Sequence, residues 1–244
     1  MSGHSKWAQI KRQKQSTDQK RGNLFTKLSN AITVAARQGG GDPASNFKLR
    51  LAIDKARQAN MPSENVERAI KKGAGSLGDV KIEEVTYEGF GPEGTAFVVE
   101  ALTDNKNRTT AEIRNIFSKY GGNLAGDGSV AWMFEKKGVI RISRETFEEI
   151  RDRQDLELQI IDAGASDFEE EPEGFIIYTA LESLHQVKEY LEGKNIKLET
   201  AELELVPKNK IKVGRESAKE QLEKIYSELE DNDNINNYYN NVEA

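Results

Sequence analysis

The chain has 244 residues, of which 36% are hydrophobic and 31% charged, and its formal net charge at pH 7 is −6. This balance is typical of a soluble globular protein with one to three small domains, and it excludes a wholly disordered chain. Cysteine is absent, which excludes disulfide scaffolds and cysteine nucleophiles. The presence of two histidines disfavours a multi-histidine metal site. No apolar run approaches the roughly 20 residues of a membrane span, so a membrane helix is not expected.

The charge is divided unevenly along the chain. Residues 1–75 contain 15 Lys and Arg but 5 Asp and Glu, a net charge of +10, whereas residues 76–244 carry a net charge of −16. A basic module joined to an acidic body indicates contact with a polyanion such as nucleic acid. The alternative interpretation is a solvated basic face that has no partner.

Residues 1–20 are predicted to form a basic arm, in which Trp7 either stacks on a base or anchors the arm by packing. Apolar residues then recur at helical spacing and predict three helices, at Asn23–Gln38, Ser45–Ala59 and Ser63–Lys72. Gly73–Asp79 has the composition of a linker, and we expect it to let the basic domain swing.

After the linker the apolar period changes to that of strands. Strands are predicted at 81–88, 95–102, 130–134, 139–142, 175–179, 196–206 and 235–239. Helices are predicted from the capping box at Thr109–Glu112 up to Gly121, and at 145–163, 181–193 and 216–229.

The order of these elements predicts an α+β fold with three domains. The first is an N-terminal, all-helical basic domain at residues 1–75, and the other two are small α/β sandwiches. A discontinuous α+β domain spans 80–137 with 207–241, because the last strand can close its sheet. The third, at 138–206, has the ferredoxin-like order and is inserted in the second.

Lysine and arginine side chains in the basic segment are the candidate phosphate contacts, because phosphates are recognised mainly by these residues. We expect about half of them to matter. The candidates are Lys6, Lys11, Arg12, Lys14, Lys20, Arg21, Lys27, Arg37, Lys48, Arg50, Lys55 and Arg57. Charge reversal at Lys11, Arg12 and Lys14 is expected to lower affinity and leave thermal stability nearly unchanged.

A second candidate is the segment Asp104–Thr109, which lies between a predicted strand and a predicted helix. Asn105, Asn107 and Arg108, with the free N–H groups of the helix start, could hold a phosphate. The alternative is a turn in which the Asp and Asn side chains bond the backbone.

Catalytic and metal sites are disfavoured. The glycine-rich segment 121–129 matches neither a P-loop nor a dinucleotide-binding pattern, and no hydrolase motif is present. The acidic segment 167–173 lacks the spacing of a calcium loop. We therefore expect no enzymatic activity, no cofactor and no metal.

Many short motifs, in order along the chain, resemble those of the YebC/PmpR family. They include Gly3-His4-Ser5-Lys6-Trp7, Asn60-Met61-Pro62, Tyr87-Glu88-Gly89, Leu102-Thr103-Asp104-Asn105, Asn107-Arg108-Thr109 and Gly128-Ser129-Val130. Gln9, Arg12 and Gln13 depart from the usual family arm. The resemblance implies a three-domain α+β architecture, a cytoplasmic location and a non-catalytic role in gene expression.

The sequence therefore predicts a cytoplasmic, non-enzymatic regulator that binds DNA through its basic N-terminal domain. The alternative is a ribosome-associated translation factor that binds rRNA or tRNA and relieves stalling, since phosphate contacts do not distinguish DNA from RNA. A phosphotransfer enzyme or metal-dependent hydrolase is a third, disfavoured interpretation. The sequence does not determine the oligomeric state, and we expect no membrane partner.

Overall fold

A computed structural model of the chain describes residues 6–14, 18–75 and 82–243, and it describes the side chains of these residues except those of 13–14 and 18–20. The described residues fall into two compact units. The larger unit comprises the described residues of 1–133 and 207–244, and the smaller unit comprises Phe134–Val206.

Helices form the N-terminal part of the larger unit: α1 (Lys6–Lys14), α2 (Asp18–Gly39), α3 (Phe47–Gln58) and α4 (Ser63–Gly73). Helices α2, α3 and α4 enclose a common core that includes Leu28, Ile32, Leu49, Ile53 and Val66. The predicted apolar stripes of these three helices are confirmed, since each stripe lies in that core.

The rest of the larger unit is a sheet covered by two helices. Strand β1 (Glu83–Phe90) is followed by β2 (Ala96–Thr103), and α5 (Lys106–Lys119) connects β2 to β3 (Asn123–Leu124). Near the end of the chain, α9 (Glu216–Asp231) precedes β8 (Ile235–Asn240). The strand order is β3-β1-β2-β8, with β8 antiparallel to β2. Phe97, Phe117, Leu222 and Tyr226 meet between the sheet and the two helices.

The smaller unit contains β4 (Phe134–Ser143), α6 (Arg144–Glu149), α7 (Arg153–Asp162), β5 (Ala165–Glu171), β6 (Gly174–Thr179), α8 (Leu184–Gly193) and β7 (Thr200–Pro207), whose last residue belongs to the larger unit. The strand order is β5-β6-β4-β7, which is the ferredoxin-like arrangement. The predicted α+β fold class is confirmed. The separation of residues 1–75 from residues 80–137 and 207–241 as individual domains stays a prediction.

Several predicted elements are wrong in detail. The described part of the arm is the helix α1, because Trp7, Gln9 and Ile10 are buried and anchor it. Residues 145–163 form two helices rather than one, since Asp152 caps α7 by accepting a hydrogen bond from the Asp155 N–H at 3.0 Å. The helix predicted from Thr109 begins three residues earlier, at Lys106.

The predicted strand at 130–134 is also wrong. Ala131–Met133 form a short 3₁₀ turn, and β4 begins at Phe134 and runs through Gly138 to Ser143, so the strand predicted at 139–142 is its second half. The N–H groups of Val130 and Ala131 donate to the carboxylate of Glu88, so they are not available to a neighbouring strand.

Residues 76–79 of the predicted linker lie outside the described residues, and the N-terminal helices contact the sheet directly. Val34 of α2 packs against Ile82 and Leu102, and Arg37 donates a hydrogen bond to the Ile82 carbonyl. A swing would have to break these contacts. Within the described residues, no helix is long and apolar enough to cross a membrane.

Candidate nucleic-acid interface

The turn between α2 and α3 fixes where the cations of α3 lie. The amide of Asn46 donates to the carbonyls of Ala35 and Gly40, both at 2.8 Å, and its oxygen accepts from the Leu49 N–H at 3.1 Å. One buried side chain therefore closes the end of α2 and caps the start of α3. Lys48, Arg50 and Arg57 are carried on a helix whose start is fixed.

Besides Arg37, which is also exposed, four of the predicted phosphate contacts are exposed on this part of the chain: Lys11, Arg21, Lys48 and Arg57. The side chain of Arg57 is 75% exposed and lies 3.9 Å from Asp54, and Lys48 lies 3.4 Å from the amide oxygen of Gln38. An ion pair at 3.9 Å in solvent is weak, so it leaves Arg57 available to a phosphate. We name these four residues the exposed cation set.

Two further arginines are held by backbone carbonyls. Arg50 donates to the carbonyls of Pro43 and Ala44 at 3.1 and 3.0 Å, and Arg37 donates to that of Ile82. A carbonyl is neutral, so these hydrogen bonds hold the two guanidinium groups in place without themselves removing their charge.

Four other candidates turn inward instead. Lys6, Arg12, Lys27 and Lys55 line a groove of about 340 Å³ between the N-terminal helices and the end of α9 with β8. Glu230 and Asp231 line the same groove. The prediction treated all the basic residues alike, whereas the structure sets these four against acidic residues from the other end of the chain.

Arg12 is the clearest case of such pairing. Its guanidinium donates to both carboxylate oxygens of Glu230, at 3.0 and 2.7 Å, and lies 3.6 Å from Glu223. Burial opposes the charged form of Arg12, but the hydrogen bond and charge of Glu230 outweigh that effect and raise the pKa of the guanidinium. The assignment of Arg12 to phosphate stays a prediction, whereas this geometry favours a role of Arg12 in stability.

Lys27 lies deeper in the same groove and donates to the Glu230 carbonyl at 2.5 Å. Burial lowers its pKa to about 8, against the opposing effect of the Asp233 and Glu230 charges. A lysine in this position is poorly placed to contact a duplex surface. Lys6 lies over the ring of Tyr239, with its Nζ 5.8 Å from the ring centroid.

Two candidates cannot be placed by their side chains. Lys14 is the last residue of α1 and Lys20 lies in the first turn of α2, but their side chains lie outside the described part of the chain. Trp7 is 7% exposed, which agrees with a side chain that anchors the arm by packing rather than one that stacks on a base.

The segment Asp104–Thr109 adopts the turn that was the alternative to a phosphate site. Asn105 caps α5 by accepting from the Arg108 N–H at 3.1 Å, and Arg108 donates to Asp104 at 2.7 Å. Glu112 lies 3.7 Å from the same guanidinium, and Asn107 is exposed. The charge that would attract a phosphate is thus balanced by two carboxylates of the chain.

Sequence reasoning missed a feature built around Glu88. This carboxylate is buried and accepts from the N–H groups of Gly128, Val130 and Ala131, at 2.6, 2.6 and 2.8 Å. Burial would raise the pKa of Glu88, but these three hydrogen bonds outweigh it and lower the pKa. Both partners of this contact lie in motifs named in the sequence analysis, Tyr87-Glu88-Gly89 and Gly128-Ser129-Val130. The sequence alone did not indicate that these two motifs meet.

Acidic residues elsewhere make ordinary structural contacts. In the acidic segment 167–173, Glu170 pairs with Arg144 at 2.5 Å and Glu169 accepts from the Tyr178 hydroxyl at 3.1 Å. Among the described residues, no group of three or more His, Asp or Glu is placed to hold a metal ion.

Comparison with known proteins places this chain among proteins of similar sequence along its whole length. A model of the TACO1/YebC N-terminal domain matches residues 5–76, and a model of the TACO1/YebC second and third domains matches residues 82–242. A probable transcriptional regulatory protein of Thermoanaerobacter pseudethanolicus is 51% identical over 243 residues, which cover 100% of this chain and 97% of that protein. A protein of the same description from Persephonella marina is 49% identical over 244 residues, 100% of this chain and 96% of that protein.

The likeness extends to a solved structure. The crystal structure of a conserved hypothetical protein from Aquifex aeolicus matches with a TM-score of 0.86 and 44% sequence identity. The match covers 98% of this chain and 97% of that one, so the described fold is also found by experiment in a similar protein.

Proposed function

Because the chain belongs to the TACO1/YebC family, we propose that it is a regulator of gene expression that binds DNA through the exposed cation set of its N-terminal helices. The names of its relatives support the regulator role. The proposal goes further, since it assigns the contact with nucleic acid to Lys11, Arg21, Lys48 and Arg57.

The observation that carries this proposal is the exposure of these four cations in a segment of net charge +10. Phosphate contacts supply most of the sequence-independent affinity for DNA, and each contact releases counterions. Backbone carbonyls hold Arg37 and Arg50 in place without themselves removing their charge. Arg12 and Lys27 are left out, because Glu230 already engages their polar groups.

The test compares two triple variants of the full chain that remove the same charge. The first replaces Lys11, Lys48 and Arg57 with Gln, and the control replaces Arg114, Lys197 and Lys224, which are exposed outside the N-terminal helices. Binding of a labelled 25-base-pair DNA duplex is measured by fluorescence anisotropy. We expect the first variant to lose at least about tenfold in affinity and the control to lose less than about threefold. Equal losses would contradict the proposal.

The same measurement with a labelled RNA hairpin separates the two family roles considered above. Preference for duplex DNA supports the transcription regulator. Preference for RNA, with the same dependence on the exposed cation set, would move the function to ribosomal or transfer RNA. Co-sedimentation of the full chain with purified ribosomes then checks that alternative directly.

A further inference from the structure

Trp132 is a large aromatic side chain that the fold leaves in solvent. Its relative exposure is 64%, whereas the other tryptophan, Trp7, is 7% exposed. Indole rings are usually well buried, so an exposed one is an informative observation. The residues that precede Trp132, from Gly126 to Ala131, are polar or small apart from the buried Val130.

The loop that carries Trp132 is held firmly at its base. Glu88 is buried on β1 and accepts three backbone N–H groups from Gly128, Val130 and Ala131. Gly128 has a φ of +82°, a conformation that favours glycine and that directs its N–H toward the carboxylate. The loop before Trp132 is therefore fixed by charge-assisted hydrogen bonds rather than left mobile.

The indole itself is also oriented. Its Nε1–H donates to the Ser129 carbonyl at 3.1 Å, which satisfies the one polar group of the ring. With that donor used internally, the exposed part of the side chain is the apolar ring. Such a fixed ring can accept a planar partner at little cost in side-chain entropy.

Positive charge lies next to the backbone of Trp132. Lys208 donates from Nζ to the Trp132 carbonyl at 2.8 Å, and its own N–H donates to the Met133 carbonyl at 2.9 Å. Lys208 lies in a short basic segment, 207–215, which also contains Lys210, Lys212 and Arg215. Lys212 lies 3.6 Å from Glu243 and Arg215 lies 2.8 Å from Glu93, so carboxylates of the chain balance these two charges. This segment stands out in the rear of a chain whose residues 76–244 carry a net charge of −16.

An oriented, exposed indole, with the ammonium group of Lys208 on the backbone carbonyl of the same residue, has the two components that single-stranded nucleic acids need. Bases stack on the aromatic ring and cations attract the backbone phosphates. We infer that Trp132 is a stacking platform for an unpaired base of a bound nucleic acid, with Lys208 close to its phosphate. This inference rests on the proposed nucleic-acid binding and adds that the ligand has an unpaired base.

The fluorescence of the ring itself gives the test. With Trp7→Phe in the full chain, Trp132 is the one remaining tryptophan. We expect oligo(dT) or oligo(U) of 12 nucleotides to quench its emission, and a blunt duplex of equal length to quench it much less. The two single-stranded probes show whether DNA or RNA supplies the base. Equal quenching by the duplex would contradict the need for an unpaired base.

A second measurement does not depend on the Trp7→Phe background. In the natural background, Trp132→Leu is expected to weaken single-strand binding by roughly tenfold, and Trp132→Phe by much less. The matched control is Leu158→Ala, because Leu158 is 66% exposed and lies in the smaller unit. Neither variant of Trp132 should alter thermal stability, since the ring is not part of a core.

The outcomes separate this inference from the function on which it rests. If the single strand binds with steep salt dependence but Trp132→Leu has no effect on affinity and the emission does not change, the stacking platform is overturned and the proposed function stands. If no nucleic acid binds at low salt, both are overturned. Quenching together with a selective loss in Trp132→Leu supports both.

Discussion

Arg12 in α1 and Glu230 in α9 are joined through both oxygens of the carboxylate, at 3.0 and 2.7 Å. The hydroxyl of Tyr238 donates to the same carboxylate at 2.7 Å. A basic residue near the start of the chain is thus used to hold α1 against an acidic residue near its end. The neighbouring residue Lys11 is exposed.

This difference between adjacent residues yields a matched pair of variants, Arg12→Gln and Lys11→Gln, each of which removes one positive charge from α1. Arg12→Gln is expected to lower the free energy of unfolding by about 1 kcal/mol, because the pair is partly exposed and hydrogen-bonded. Lys11→Gln should leave that free energy unchanged and lower the affinity for nucleic acid. Urea unfolding measures the first effect and anisotropy the second. Equal stability of the two variants would show that the Arg12–Glu230 pair does not hold α1.

The lowered pKa of Lys27 predicts a rise in stability at alkaline pH. Below pH 8 the amine is charged in both the folded and the unfolded chain. Between about pH 8 and the ordinary pKa of 10.5, the folded chain releases this proton while the unfolded chain keeps it. Unfolding then becomes more costly, by up to about 3 kcal/mol from this residue alone.

Lys27→Met isolates that effect from the other groups that titrate at high pH. The difference in unfolding free energy, natural chain minus variant, should increase from pH 8 to pH 10.5 in urea titrations. A difference that stays constant over this range would mean that the Lys27 amine is not buried in solution.

Gly73 of α4 lies close against the backbone of α2. A Cβ at this position would lie 2.7 Å from the Cβ of Ala36 and would overlap the Thr33 carbonyl. We expect Gly73→Ala to cost about 1–3 kcal/mol in unfolding free energy. Gly22→Ala is the control, since no atom lies within 4 Å of its added Cβ, and it should stabilise the helix slightly. A neutral Gly73→Ala in urea unfolding would show looser packing of the two helices.

Glu88→Gln tests how the loop before Trp132 is held. Replacing the carboxylate weakens three backbone hydrogen bonds, and we expect a loss of about 1–3 kcal/mol at pH 7. The folded pKa of Glu88 lies below its ordinary value of 4.5, so its stabilising effect is present above that value and is lost as the pH falls through the folded pKa.

The cost of Glu88→Gln should therefore shrink when the pH is lowered from 7 toward 3. Glu83→Gln, an exposed carboxylate on the same strand, is the control and should change stability little at either pH. A cost for Glu88→Gln that is the same at both pH values would rule out a charged carboxylate as the anchor of the loop.

Elements with a regular apolar period could be predicted from the sequence, because burial of one face is what stabilises them. The stripe of Ile113, Ile116 and Phe117 identified α5, although its start was misplaced. The capping box at Thr109 is a local pattern, and Asn105 competes for the same role by accepting the Arg108 N–H. Helix α1 was missed because few apolar anchors besides Trp7 and Ile10 mark it.

The candidate site could be located by charge but not resolved into individual residues. Lys11 and Arg12 look equivalent in the sequence, and they differ because the partner of Arg12 lies 218 residues away. The same holds for Trp132, whose orientation depends on Glu88 and Lys208 in other parts of the chain. Such long-range contacts leave no periodic pattern for sequence reasoning to detect.

The salt dependence of DNA binding by the full chain tests the central claim most directly. The logarithm of the association constant, plotted against the logarithm of the salt concentration, should fall with a slope of about −0.9 for each phosphate contact. We expect a steep slope for the natural chain. The triple variant at Lys11, Lys48 and Arg57 should show a slope that is shallower by about 2–3. A slope near zero, or one that the triple variant leaves unchanged, would contradict the assignment of these exposed cations to phosphate.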